Sequence, residues 1–191
     1  MNITGFDISI LEWIRNTLWN PVLDKIMVAI TSLGYKGILW IAVAVIMLFF
    51  KRTRKTGLKL GVALILGLAI GNGIIKNVVA RQRPYDYQAA HGVDIPLLIA
   101  KLKDFSFPSG HTLSCFEAAG VLMICERKRF GWAALALAIL ISFSRLYLYV
   151  HYPTDVLAGI VLGLIFAVLG CLIIDAIWKL VQKKTADKKS A

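Results

Sequence analysis

Residues 153–178 read PTDVLAGIVLGLIFAVLGCLIIDAIW, an almost unbroken apolar run. A helix needs about 20 mostly apolar residues, roughly 17–25, to cross the hydrocarbon core of a bilayer, and this run is long enough. Outward from it, residues 56–80, 109–126 and 130–150 are runs of the same kind. A fifth, 34–50, is shorter but holds Trp40 and the solid block from Ile41 to Phe50, and Lys36 at its start can snorkel to the interface. Unpaired backbone is not tolerated in lipid, so these runs are helices. The fold class is all-α: a polytopic membrane bundle of about five transmembrane helices.

Composition agrees. Of the 191 residues, 58% are hydrophobic and 17% charged, against about 45–50% and 25% in a soluble domain. So small a globule cannot bury that much apolar surface, which excludes a soluble enzyme, a disordered tail and a disulfide scaffold. The net charge of +11 suggests nucleic acid in a soluble protein. Here most cations sit in three clusters beside apolar runs: Lys51, Arg52, Arg54, Lys55 and Lys59; Arg127 to Arg129; and Lys179, Lys183, Lys184, Lys188 and Lys189. That is the positive-inside pattern, and no nucleic-acid partner is expected. Alternation of the spans puts all three clusters on the cytoplasmic side, including the basic tail at 179–191, which is expected to be frayed over 180–191. The 81–108 loop and the 148–153 connection then face the outside of a plasma membrane. Cys115, Cys125 and Cys171 all lie in apolar runs without metal-ligand spacing and read as packing residues.

Residues 1–33 differ. Phe6, Ile10, Ile14 and Leu18 recur every four residues beside Asp7, Glu12 and Arg15, as in a helix lying in the interface. Pro21 opens a second segment, with Val22, Ile26, Ile30 and Leu33 on one face, too short to span and read as re-entrant. The organisation expected is therefore 1–33 interfacial and re-entrant, 34–178 the transmembrane unit, and 179–191 the tail.

Polar residues gather at the outer ends of the spans, where ionisable groups are costly and mark candidate sites. Lys76 and Arg83 are seven apart, close to two helical turns, with Pro84 ending the helix. Ser109 and Gly110 precede an apolar helix, whose free N–H groups favour an anion. Arg145 lies inside an apolar helix and needs an anion, while Asp155, four residues after His151, can reach its imidazole. Each feature has a plain structural reading when taken alone. Together, three cations and a helix N-terminus describe a phosphate site, and His111, His151 and Asp155 supply a nucleophile and a general acid. His91 reads as a solvated loop residue, and the apolar patch Ile95 to Ala100, beside Lys101 and Lys103, is placed on the surface near the entrance.

Lys76-x6-Arg83-Pro84, Pro108-Ser109-Gly110-His111 and Ser144-Arg145-x5-His151-x3-Asp155 resemble the three-part signature of the type 2 phosphatidic acid phosphatase superfamily, and the resemblance covers roughly residues 30–178. It implies a metal-independent membrane phosphatase without a cofactor, acting on a lipid phosphate. It implies His151 as phosphohistidine nucleophile oriented by Asp155, His111 as general acid, and Lys76, Arg83, Ser109, Gly110 and Arg145 as phosphate ligands. Undecaprenyl diphosphate is the favoured substrate, with phosphatidylglycerophosphate and phosphatidic acid as alternatives. The chain departs from six-span relatives at its N-terminus. A vanadate haloperoxidase uses a similar cage but is soluble, and an anion or lipid transport protein would not need both histidines and Asp155.

Overall fold

The computed structural model describes residues 3–190, except the side chains of 188–190, among them those of Lys188 and Lys189 of the C-terminal cluster. Nine α-helices and no strand occur among the described residues: α1 (Ile3–Leu18), α2 (Pro21–Leu33), α3 (Ile38–Phe49), α4 (Arg54–Leu66), α5 (Lys76–Val79), α6 (Pro84–Ala90), α7 (Gly110–Cys125), α8 (Lys128–Tyr147) and α9 (Pro153–Ser190). Four stretches are long and apolar enough to cross a membrane, Pro21–Phe49, Arg54–Ala90, Lys128–Tyr147 and Pro153–Asp187, and α7 is a shorter apolar helix among them. The protein is a multi-pass membrane bundle.

Helix α7 can be short because it is central. It packs against α4, α8 and α9, and Leu113, Cys115, Phe116, Ala118, Ala119, Val121 and Leu122 are all buried. Its 16 residues span about 24 Å at 1.5 Å per residue, less than the ~30 Å of hydrocarbon, but its neighbours carry the lipid contact. Ile65, Ile139, Val161 and Leu172 are exposed large hydrophobics on those neighbours. Close approach of α9 depends on glycine. A Cβ on Gly163 would stand 2.7 Å from the Leu113 carbonyl oxygen, and one on Gly170 would stand 2.7 Å from that of Lys59, the small-residue contact by which membrane helices pack.

Four sequence expectations change. The segment from Pro21, expected to stand apart, is α2, which joins α3 in one stretch long and apolar enough to span, broken at Lys36 (φ 50°) and Gly37 (φ 68°). The second span passes through a π-helical stretch at Gly67–Ile75 and ends at Val79, where Ala80 takes a left-handed conformation (φ 46°). Pro84 therefore does not stop that helix; it starts α6 from the first-turn position that its missing N–H suits. The 179–190 tail is not frayed but continues α9. Most of the Ile95–Ala100 patch turns inward: Ile95 is buried, and Leu97, Leu98 and Ile99, partly buried, pack against the apolar cluster that includes Leu11, Ile14 and Tyr149.

The bundle has two chemically different ends. At one, Lys55 and Lys59 pair with Asp175, and Thr56 donates to Glu126. At the other, the linker before α6, the loop before α7 and the α8–α9 connection meet.

Candidate active site

Lys76 and Arg83 do not sit on one helical face as their spacing suggested, since residues 80–83 are not helical. The extended linker instead brings Arg83 back beside Lys76, and both bind one carboxylate. Lys76 Nζ lies 2.7 Å from Asp104 Oδ2, and Arg83 Nη2 donates to Asp104 Oδ1 at 2.7 Å. Arg83 Nε also donates to the Asp104 carbonyl at 2.8 Å. Partial burial pushes the Asp104 carboxyl up, but the hydrogen bond and charge of Lys76, with the Arg83 guanidinium, hold it well below the usual carboxylate range.

The α8–α9 connection carries His151, buried with Tyr147, Tyr149 and Tyr152 around it. Arg83 Nη1 donates to the Val150 carbonyl at 2.7 Å and lies 3.4 Å from His151 Nε2. A guanidinium can only donate, so an imidazole facing it presents Nε2 without a proton and carries its hydrogen on Nδ1. Nδ1 lies 3.5 Å from both Asp155 Oδ2 and Ser106 Oγ. Ser106 donates to Asp155 Oδ2 at 2.5 Å, and the Tyr152 N–H donates to the same oxygen at 3.0 Å. Burial pushes the His151 imidazole below its ordinary value; Asp155 opposes this, and the Arg83 and Arg145 charges add to it.

Ser109 caps α7, accepting from Thr112 N–H at 3.5 Å and Thr112 Oγ1 at 3.0 Å, and its own N–H donates to the Asp155 carbonyl at 3.2 Å. Gly110 stands where a Cβ would lie 2.8 Å from Asn72 Oδ1, so its bareness admits the π-helical stretch. His111, one residue on, lies in the field of the Arg145, Lys76 and Arg83 charges. Arg145 is 1% exposed; Nη1 donates to Thr31 Oγ1 at 2.5 Å, while its Nε and Nη2 have no hydrogen-bond partner among the described residues.

All eight residues singled out from the sequence thus come to one end of the bundle. Asp104, Ser106 and Arg81 were missed. Arg81 stood in plain view in the Arg81-Gln82-Arg83 run, but no spacing rule points from it to Asp155. His91 is exposed, its Nδ1 2.8 Å from the Tyr87 carbonyl and its ring centroid 4.3 Å from that of Tyr87. The cysteines pack: Trp40 Nε1 donates to Cys115 Sγ at 3.2 Å, and Cys125 and Cys171 are free thiols. No group of three or more His, Cys, Asp or Glu suited to a metal occurs among the described residues.

Comparison with known proteins bears on the same region. The model of a family described as the PAP2 superfamily matches residues 56–184. An undecaprenyl-diphosphatase of Sulfolobus acidocaldarius is 34% identical over 161 residues, 83% of this chain and 74% of that protein. The crystal structure of Aquifex aeolicus LpxE superposes with a TM-score of 0.74 at 26% identity, covering 89% of this chain and 98% of the other. That of a PAP2 type phosphatidylglycerolphosphate phosphatase from Bacillus subtilis gives 0.70 at 26% identity, covering 94% and 87%.

Proposed function

The chain belongs to the PAP2 superfamily, and on that premise we propose that it is an integral membrane lipid phosphatase acting through a phosphohistidine, with undecaprenyl diphosphate the favoured substrate. The observation that carries this is the buried His151 imidazole, whose Nε2 lies 3.4 Å from Arg83 Nη1 and whose Nδ1 lies 3.5 Å from the Asp155 carboxylate. The Arg145 Nε and Nη2 atoms, unpartnered among the described residues, would each cost about 1–3 kcal/mol if left so, and phosphate oxygens satisfy them.

His151 Nε2 attacks phosphorus in line, the bond from phosphorus to the lipid-side oxygen breaks, and His111 gives that oxygen a proton. Water, deprotonated by His111, then cleaves the phosphorus–nitrogen bond and frees phosphate. Lys76, Arg83, Arg145 and the α7 N-terminus with Ser109 and Gly110 neutralise the equatorial oxygens, so no metal ion is required. Asp104 marks where an anion binds the first two cations and leaves as the substrate enters. The site end faces outward, where a lipid carrier presents its phosphate, and the basic end is cytoplasmic.

A second substrate reading, phosphatidylglycerophosphate, is favoured by the likeness to the Bacillus subtilis enzyme; phosphatidic acid follows on family analogy. The test is phosphate release by purified protein in detergent with EDTA present, using the three lipids in parallel and His151→Ala as control. Release that survives EDTA and vanishes in the variant is expected. Dependence on added Mg²⁺ refutes the metal-free mechanism; release from none of the lipids by folded protein returns the site to anion binding or transport.

A further inference from the structure

Asp155 has two faces. Oδ2 turns toward His151, while Oδ1 accepts from Arg81 Nη1 at 2.7 Å. The Arg81 guanidinium carbon lies over the Tyr152 ring, 3.7 Å from its centroid, and its other nitrogen, Nη2, donates to Asp7 Oδ2 at 2.7 Å. Asp7 is 0% exposed on α1, outside the family-matched residues 56–184. It also accepts from the Thr154 backbone N–H at 3.1 Å and from Thr154 Oγ1 at 2.5 Å, at the first turn of α9.

A carboxylate turns about its Cβ–Cγ bond unless both oxygens are held. Arg81 holds one and so fixes where the other points, and a guanidinium bound by two carboxylates has little freedom itself. Asp7 is not needed merely to dock α1. Buried Leu11 and Ile14, the bond from Trp19 Nε1 to the Tyr147 carbonyl, and that from Gln88 to Glu12 already do so. We propose that Arg81 is a positioning residue that acts on His151 through Asp155, and that Asp7 holds Arg81 for this task, making the N-terminal helix part of the catalytic assembly. This rests on His151 being the nucleophile.

The test uses the full chain, with steady-state phosphate release from the lipid turned over by the wild type and thermal melts alongside. The charged or titratable groups around His151 are Arg83 of the linker, Arg145 of α8, Asp155 of α9 and His111 of α7, with Lys76 and Asp104 beyond them. Because His151 reacts unprotonated, the acid limb of kcat/KM reports its imidazole. Arg81→Gln removes a positive charge and moves that limb to higher pH. Asp7→Asn removes a negative charge and moves it to lower pH, and the double variant lies between. In Arg81→Gln, kcat falls about ten- to a hundredfold, as when an outer partner orienting a functional imidazole is lost, with KM within about twofold. Arg81→Lys keeps the charge without the fork: its limb stays while kcat falls, and it carries the test if Arg81→Gln does not fold. Limbs that do not move, or move the same way, with losses only in thermal stability or KM, overturn the inference and leave Arg81 a structural tie. Wild-type turnover that His151→Ala leaves intact overturns the nucleophile reading itself; turnover abolished by His151→Ala but undisturbed in Arg81→Gln overturns this inference alone.

Discussion

Gly34, between α2 and the turn at Tyr35–Gly37, is the sharpest test of His111. Its φ of −85° suits any residue, so Gly34→Ala acts only through space. The new Cβ would stand 2.7 Å from His111 Cδ2 and 2.8 Å from Ile141 Cγ2. Carbon atoms rest at about 3.5–4.0 Å, so the imidazole must retreat by about 0.8 Å or turn. Displacing a reacting group by about 1 Å costs about a hundredfold in rate, so kcat should fall about ten- to a hundredfold. Overpacking should cost about 1–3 kcal/mol in stability. Lys76 and Arg83 are not among the atoms nearest that Cβ, so KM should stay within about twofold. The assay is steady-state phosphate release, with a thermal melt showing the variant folded at the assay temperature. Unchanged kcat in a folded variant, or a loss residing wholly in KM, would refute His111 as the group that serves the leaving oxygen.

Asp104→Asn removes the carboxylate competing for Lys76 and Arg83; inorganic phosphate should then inhibit about tenfold better, equivalent to one charge-assisted hydrogen bond of about 1.5 kcal/mol, and weaker inhibition would contradict the shared anion site. Gly67→Ala puts a Cβ 1.9 Å from Glu117 Oε1, so stability should drop by at least about 1–3 kcal/mol, and adding Glu117→Ala should recover part of it; additive losses in the double variant would rule out the clash. Burial depresses the His151 imidazole in the folded state, while the unfolded chain takes up that proton below about pH 6.5. Folding therefore gains this contribution above that value and loses it as pH falls toward the depressed folded value. Melts from above pH ~7 down to pH ~5 should show a shallower decline in His151→Gln than in the wild type; equal slopes would mean that the ring is not held neutral.

The bundle was legible because lipid makes the rule one-dimensional. A run such as 153–178 must be helical and must span, wherever its neighbours lie. Local chemistry also carried Ser109 as a cap, and the Lys76, Arg145 and His151 segments as unusual polar insertions. The errors lie where a helix ends: Ala80 turns left-handed and unwinds the chain before Arg83, an outcome no helical spacing contains. Joining α2 to α3 across Lys36 and Gly37 was hidden for the same reason, since two adjacent positive-φ residues leave the hydrophobic pattern almost untouched.

What the chain order alone determined is therefore its solvent, its helices and the residue types brought to one end, because burial in lipid and backbone pairing depend on contiguous stretches. What only the tertiary structure decided is which groups touch. Asp104 reaches Lys76 across 28 positions and Arg81 joins Asp7 to Asp155 across 74 on either side. A charged pair is made by three-dimensional proximity in a low-dielectric interior, and no spacing along the chain encodes it.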